Sequence, residues 1–133
     1  MAEKKKAPPL EKVIVASIVK ALKKYGVQWL WKTHGNPYQS AGVPDILCIA
    51  PGTGRFVGIE VKRPDGYGKA TPLQLEQIER IRAAGGVAGI ATSPEEALAL
   101  VEEAQAYFYT GRAIQIAVHD ELCKRRLGEN GQV

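Results

Sequence analysis

The sequence predicts an α/β domain in which a mixed β-sheet carries helices on both faces. Three observations lead there. Stretches with apolar residues every three or four positions, the mark of a helix with one buried side, alternate with short β-branched and aromatic runs. Glycine or proline stands at nearly every change between the two patterns. The resulting order, α-β-β-β-α-β-α, supplies helices to cover each face of the sheet.

The first helix is expected over residues 9–25. Val13, Ile14, Ile18, Ala21, Leu22 and Tyr25 form one apolar stripe, and Gly26 supplies the stop. Residues 27–32 (Val-Gln-Trp-Leu-Trp-Lys) read as a strand, with Trp29 and Trp31 sharing one face and assigned to the core. Residues 33–43, with two glycines, a proline and polar side chains, form a loop. Two further strands, 45–50 and 55–62, flank a Pro-Gly-Thr-Gly hairpin connection, and both are apolar on each side, as in strands covered by two layers. After turn chemistry at 64–69, Thr71 caps a helix with Pro72 in its first position. That helix runs through Leu75, Ile78 and Ile81 to Gly85-Gly86. Residues 87–92 are the fourth strand, and Ser93-Pro94-Glu95-Glu96 opens a helix reaching about residue 109. Beyond Gly111, residues 113–118 read as a strand and 120–127 as a short helix.

Size and composition narrow the class. At 133 residues and 14.4 kDa the chain fits one domain, and 45% hydrophobic with 24% charged residues excludes wholesale disorder. No apolar run approaches the roughly 18 residues of a membrane span, and no secretory-type apolar segment follows the basic start. Cys48 and Cys123 make neither a metal-ligand spacing nor a disulfide framework. The expectation is a soluble cytoplasmic protein with a basic tail at 1–9, a domain at 10–110 and an extension at 111–133. Residues 1–70 carry 12 Lys/Arg against 5 Asp/Glu, whereas residues 71–133 carry 6 against 9. The basic half suits a polyanion such as nucleic acid or an anionic membrane, although Lys4, Lys5 and Lys6 also fit a solvated tail.

Chemistry concentrates on the hairpin. Symmetric closure of its connection sets Asp45 directly across from Glu60, with Lys62 on the same face as Glu60. Like charges facing each other across a sheet are destabilising, so two carboxylates on otherwise apolar strands call for a divalent cation. Hard oxygen ligands suit Mg²⁺ or Mn²⁺. Glu11 shares the stripe of Ile14, Ile18 and Leu22, and Gln74 that of Ile78 and Ile81, which turns both inward from the first turns of their helices. Each also has a local role open to it: Glu11 complements the helix dipole, and Gln74 completes a capping box with Thr71. His34 reads as a surface residue more readily than as a ligand, and Cys48 as core.

Gly42-Val43-Pro44-Asp45, a turn, and then Gly58-Ile59-Glu60-Val61-Lys62 is similar to the PD-(D/E)XK nuclease signature. Glu11 ahead of it, with Thr71-Pro72-Leu73-Gln74 and Ala83-Ala84-Gly85-Gly86 after it, resembles the VRR-NUC (virus-type replication-repair nuclease) family over residues 10–92. The resemblance implies a restriction-endonuclease-like core and a magnesium- or manganese-dependent phosphodiesterase acting on branched or flapped DNA, including Holliday junctions, in a bacterial or phage-infected cell. By position, Asp45 and Glu60 match the metal-binding carboxylates, the Val61 carbonyl a further ligand, and Lys62 the motif lysine at the attacked phosphate. Glu11 matches the first-helix acid, and Gln74 the glutamine that positions Lys62 or the phosphate.

The expected function is therefore a metal-dependent DNA endonuclease. A non-catalytic nucleic-acid-binding module and a sequence-specific restriction-type nuclease are the alternatives. Lys32, His34, Gly42, Arg63 and Lys69 are candidate nucleic-acid contacts, with Gly35 and Gly42 letting a backbone approach. A homodimer is expected too, because a four-way junction needs two cuts and Ile114, Ile116 and Val118 offer an apolar interface.

Overall fold

The computed structural model describes residues 6–34, 41–64 and 66–106. Within them the seven elements follow the expected order: α1 (Glu11–Tyr25), β1 (Leu30–Lys32), β2 (Ile46–Ile49), β3 (Phe56–Val61), α2 (Pro72–Ala83), β4 (Val87–Ala91) and α3 (Pro94–Ala106). The expected strand at 113–118, the helix at 120–127, the last turn of the helix to 109, Gly35 and the dimer interface lie outside the described residues.

The strands form one sheet in the order β1-β2-β3-β4. β1 and β3 are each antiparallel to β2, and β4 is parallel to β3. Across the hairpin Ile46 faces Ile59 and Ile49 faces Phe56, the symmetric register expected from the length of the connection. Continued by one step, that register sets Asp45 opposite Glu60. A one-residue slip would have sent the two carboxylates to opposite faces.

α1 stops at Gly26, where φ is 113° and the backbone N–H returns to the carbonyls of Leu22 and Lys23. Its buried stripe is Ile14, Val15, Ile18 and Leu22. Val13 and Tyr25, expected on that stripe, are exposed, because the sheet and α3 contact a narrower arc than the apolar pattern covers. α1 and α3 cover one face of the sheet and meet Cys48, Val57, Ile59, Val61, Val87 and Ala91 in the core. Each aliphatic side chain buried there contributes about 1.5–3 kcal/mol relative to exposure. Burial pushes the Cys48 thiol up to about 11, as suits an inert core cysteine.

α2 lies on the opposite face against β3 and β4. Gly58 is what lets it approach, since a Cβ there would stand 3.0 Å from Ile81 and 3.1 Å from Pro44. Leu75 points to solvent, and α2 has no fully buried residue. Because α2 does not extend over β1 and β2, Trp29 and Trp31 are 49% and 57% exposed. The assignment of both tryptophans to the core is thereby corrected: alternation places them together, but on the half of the sheet that no described helix covers. β1 is shorter than expected, because Val27 is buried before pairing with β2 begins. No helix among the described residues is long and apolar enough to cross a membrane.

Candidate metal centre and active site

Five elements, α1, β1, β2, β3 and α2, converge at one end of the sheet. Pro44 restricts the entry to β2, and the loop before it is pinned twice: Thr33 Oγ1 donates to the Pro44 carbonyl at 2.6 Å, and the N–H groups of Thr33 and His34 both reach the Asp45 carbonyl. Gly42 makes a third restraint. Its φ is 85°, and an added Cβ would lie 2.8 Å from the Leu73 carbonyl at the start of α2. The glycine expected to admit a nucleic-acid backbone is thus required by the chain's own packing. Gly42→Ala is expected to cost about 2 kcal/mol or more and to displace the neighbouring Gln74. Paired denaturation and cleavage assays on the variant check both effects.

Asp45 is buried and held by its main-chain neighbours across the hairpin. Its Oδ2 accepts the Val61 N–H at 2.8 Å, and its Oδ1 lies 3.1 Å from His34 Nδ1. His34 Nδ1 also lies 3.8 Å from Glu11 Oε1 on the first turn of α1. Ligand-type atoms of Glu11, His34 and Asp45 all fall within 4.8 Å of one another. His34, expected at the surface or on nucleic acid, is part of this acidic cluster. The register of β1 against β2 brings it there, and the β1 residues alone do not encode that register.

Glu60 is 2% exposed and projects from β3 on the α2 side. Its Oε1 accepts from Gln74 Nε2 at 2.9 Å and stands 3.6 Å from Lys62 Nζ. Its Oε2 is buried with no hydrogen-bond partner among the described residues. Burial, and after it the Asp45 carboxylate, pushes the Glu60 carboxyl up to about 8; Lys62 pulls the other way, and Glu11 adds a smaller upward push. An oxygen left without a partner among the described residues is costly, and a ligand at that point would satisfy it. A divalent cation fits: the donors at hand are three carboxylates and one imidazole, hard or borderline ligands for Mg²⁺ or Mn²⁺.

Gln74 holds both roles open to it. Its Oε1 accepts the Thr71 N–H at 2.9 Å while Thr71 Oγ1 accepts the Gln74 N–H at 3.2 Å, a complete capping box. The cap consumes the amide oxygen, so the amide nitrogen is the end that faces Glu60. Glutamate at this position would cap equally well but set a carboxylate against Glu60. Gln74→Glu is therefore expected to retain its helix by circular dichroism and lose about tenfold or more in cleavage rate, a loss of about 1.4 kcal/mol. Equal rates for variant and parent would show that the amide serves the cap alone.

The remaining candidates are spread out. Lys32 and Lys69 are exposed, on β1 and on the turn before α2. Arg63 donates to the Pro8 and Pro9 carbonyls at 2.9 and 3.1 Å and stacks its guanidinium 4.9 Å from the Tyr67 ring centre. It ties down the segment leading into Glu11, a role that reading each residue singly does not disclose.

No family model and no curated protein matches the chain. Solved structures do. One, described as a VRR_NUC domain protein, is 22% identical with a TM-score of 0.59, covering 73% of this chain and 88% of that one. Another, described as a VRR_NUC domain, is 26% identical with a TM-score of 0.52, covering 69% of this chain and 94% of the other. The shared architecture is a four-stranded mixed sheet with helices on both faces, consistent with the restriction-endonuclease-like core that the resemblance implied. In fold, this chain is similar to the VRR_NUC domains.

Proposed function

We propose that the chain is a metal-dependent DNA endonuclease that hydrolyses phosphodiester bonds, with Mg²⁺ or Mn²⁺ as cofactor and branched DNA as preferred substrate. The observation that carries this reading is the convergence of Asp45, Glu60, Lys62 and Gln74 with Glu11 at one end of the sheet, Glu60 presenting a buried oxygen with no partner among the described residues. Branched DNA enters through the family resemblance, while the basic first half of the chain suits a polyanion.

Glu11, His34, Asp45 and Glu60 are the residues that would hold the cation, and the Val61 carbonyl is a further ligand by resemblance. When bound, such an ion polarises a phosphoryl oxygen and acidifies a coordinated water. The protein's own part follows from its geometry. The Val61 N–H fixes Asp45 Oδ2, and Gln74 fixes Glu60 Oε1, so both carboxylates are oriented before any ligand arrives. Lys62 sits beside Glu60 with its side chain 12% exposed, where its ammonium offsets charge building on the phosphate or exchanges a proton with the attacking water. Exposed Lys32 and Lys69 would contact phosphates without reading sequence.

A panel of labelled four-way junction, flap, single strand and linear duplex, each with Mg²⁺, Mn²⁺ or EDTA, tests the proposal. Cleavage of branched substrates that stops in EDTA is expected. Undiminished cleavage in EDTA would remove the metal, and equal rates on linear duplex would remove the branch preference. Binding without cleavage under either metal would make the chain a binding module.

A further inference from the structure

The half of the sheet left open by α2 is aromatic and faces outward. Trp29 and Trp31 share it with Leu47 and Ile49, since Trp31 pairs with Leu47 and the Trp29 carbonyl accepts the Ile49 N–H. At the Trp29 end lies a groove of about 430 Å³, lined by Gly26, Trp29, Ile49, Pro51 and Gly52 among others. β1 is also the edge of the sheet, so the outward main-chain groups of Leu30 and Lys32 have no strand beside them among the described residues. An open edge next to two exposed tryptophans is a template for another strand.

The described chain ends at that groove. Gln105, next to last in α3, donates from Nε2 to the Pro51 carbonyl at 3.1 Å and accepts from the Tyr25 hydroxyl at 2.7 Å. Thr53 Oγ1 donates to the neighbouring Ala104 carbonyl at 3.4 Å. Residues 107–133 therefore start between the end of α1 and the β2–β3 connection. The six residues 107–112 can span up to about 20 Å, enough to pass the groove and reach β1.

Residues 113–118 carry the matching pattern. In Ala113-Ile114-Gln115-Ile116-Ala117-Val118 the bulky side chains alternate with small or polar ones. As a strand, one face is Ile114, Ile116 and Val118, and the other is Ala113, Gln115 and Ala117.

We propose that residues 113–118 dock in the same molecule along the outer edge of β1 as a fifth strand, laying Ile114, Ile116 and Val118 over Trp29 and Trp31. Entering at the Trp29 end, this strand runs parallel to β1. Such docking is independent of the nuclease reading.

Trp29 and Trp31 are the only tryptophans in the chain, so fluorescence reports on this surface alone. In the full-length protein, blue-shifted emission shielded from acrylamide is expected, with slow hydrogen exchange at the Leu30 and Lys32 amides and, in place of the dimer expected from Ile114, Ile116 and Val118, a monomer by light scattering. Ile114→Asp combined with Ile116→Asp should shift emission to the red, raise quenching several-fold and release both amides, with the helical circular dichroism signal retained. If that variant does not fold, exchange and quenching in the unmodified protein still decide the question. Solvent-exposed tryptophans and fast-exchanging amides there would overturn the proposal. Shielding that rises with protein concentration alongside a dimer would assign the edge to a second copy, and shielding only on addition of an oligonucleotide would assign it to nucleic acid. Either would likewise overturn it.

Discussion

Replacing Lys62 with methionine is expected to slow cleavage of branched DNA by about 10²–10⁴-fold, the range for removing a group that moves protons or offsets charge in the transition state. Methionine keeps most of the aliphatic stem, which packs near Gly68, so the packing loss is small. What disappears is a positive charge 3.6 Å from Glu60 Oε1. DNA binding should change little, because one ammonium among many basic groups contributes weakly to affinity. The effect thus falls on the catalytic step, and single-turnover cleavage of a labelled four-way junction at saturating enzyme measures it directly. A Lys62→Met protein that cuts at the parental rate would leave Lys62 a structural partner of Glu60 and nothing more.

The second large effect is on stability, and it runs through Glu60. Its carboxyl binds a proton more tightly in the folded protein, at about 8, than in the unfolded chain, because burial and Asp45 disfavour the anion. A raised folded-state value stabilises fully below the unfolded value of 4.5 and is lost as pH climbs through about 8. In EDTA the protein should therefore lose on the order of a few kcal/mol between pH 5 and pH 9. Glu60→Gln, neutral at every pH, should flatten most of that slope. Adding Mn²⁺ at high pH should raise the melting temperature of the parent more than that of the variant, since a bound cation relieves the buried anion. Identical pH slopes for the two proteins would mean that Glu60 is not the group under electrostatic stress.

Much of the site is local in origin, which is why the residues disclose it. The facing of Asp45 and Glu60 follows from a short connection and a period of two, and Lys62 follows from Glu60 by the same alternation. Glu11 and Gln74 turn inward because each sits on the apolar stripe of its own helix. Gln74 also shows that a capping role and a site role are compatible, since the amide has two ends. His34 and Arg63 are less legible. His34 joins the carboxylates only because β1 pairs with β2 in one register, and Arg63 reaches back across the chain to Pro8 and Pro9. The tryptophans mislead for a related reason. Their spacing tells which side of the strand they share but not whether a helix lies over it.

Taken alone, the sequence determined the order of elements and the hairpin register, and it pointed to five of the six residues gathered at the candidate centre, because each depends on interactions within a few residues or on one connection of known length. Tertiary structure alone decided where α2 stops across the sheet, that Gly42 and Gly58 are contact points for that helix, and that one carboxylate oxygen of Glu60 is buried without a partner among the described residues. Those facts depend on how separate elements pack in three dimensions, and side-chain pattern along a single element carries no record of what lies opposite it.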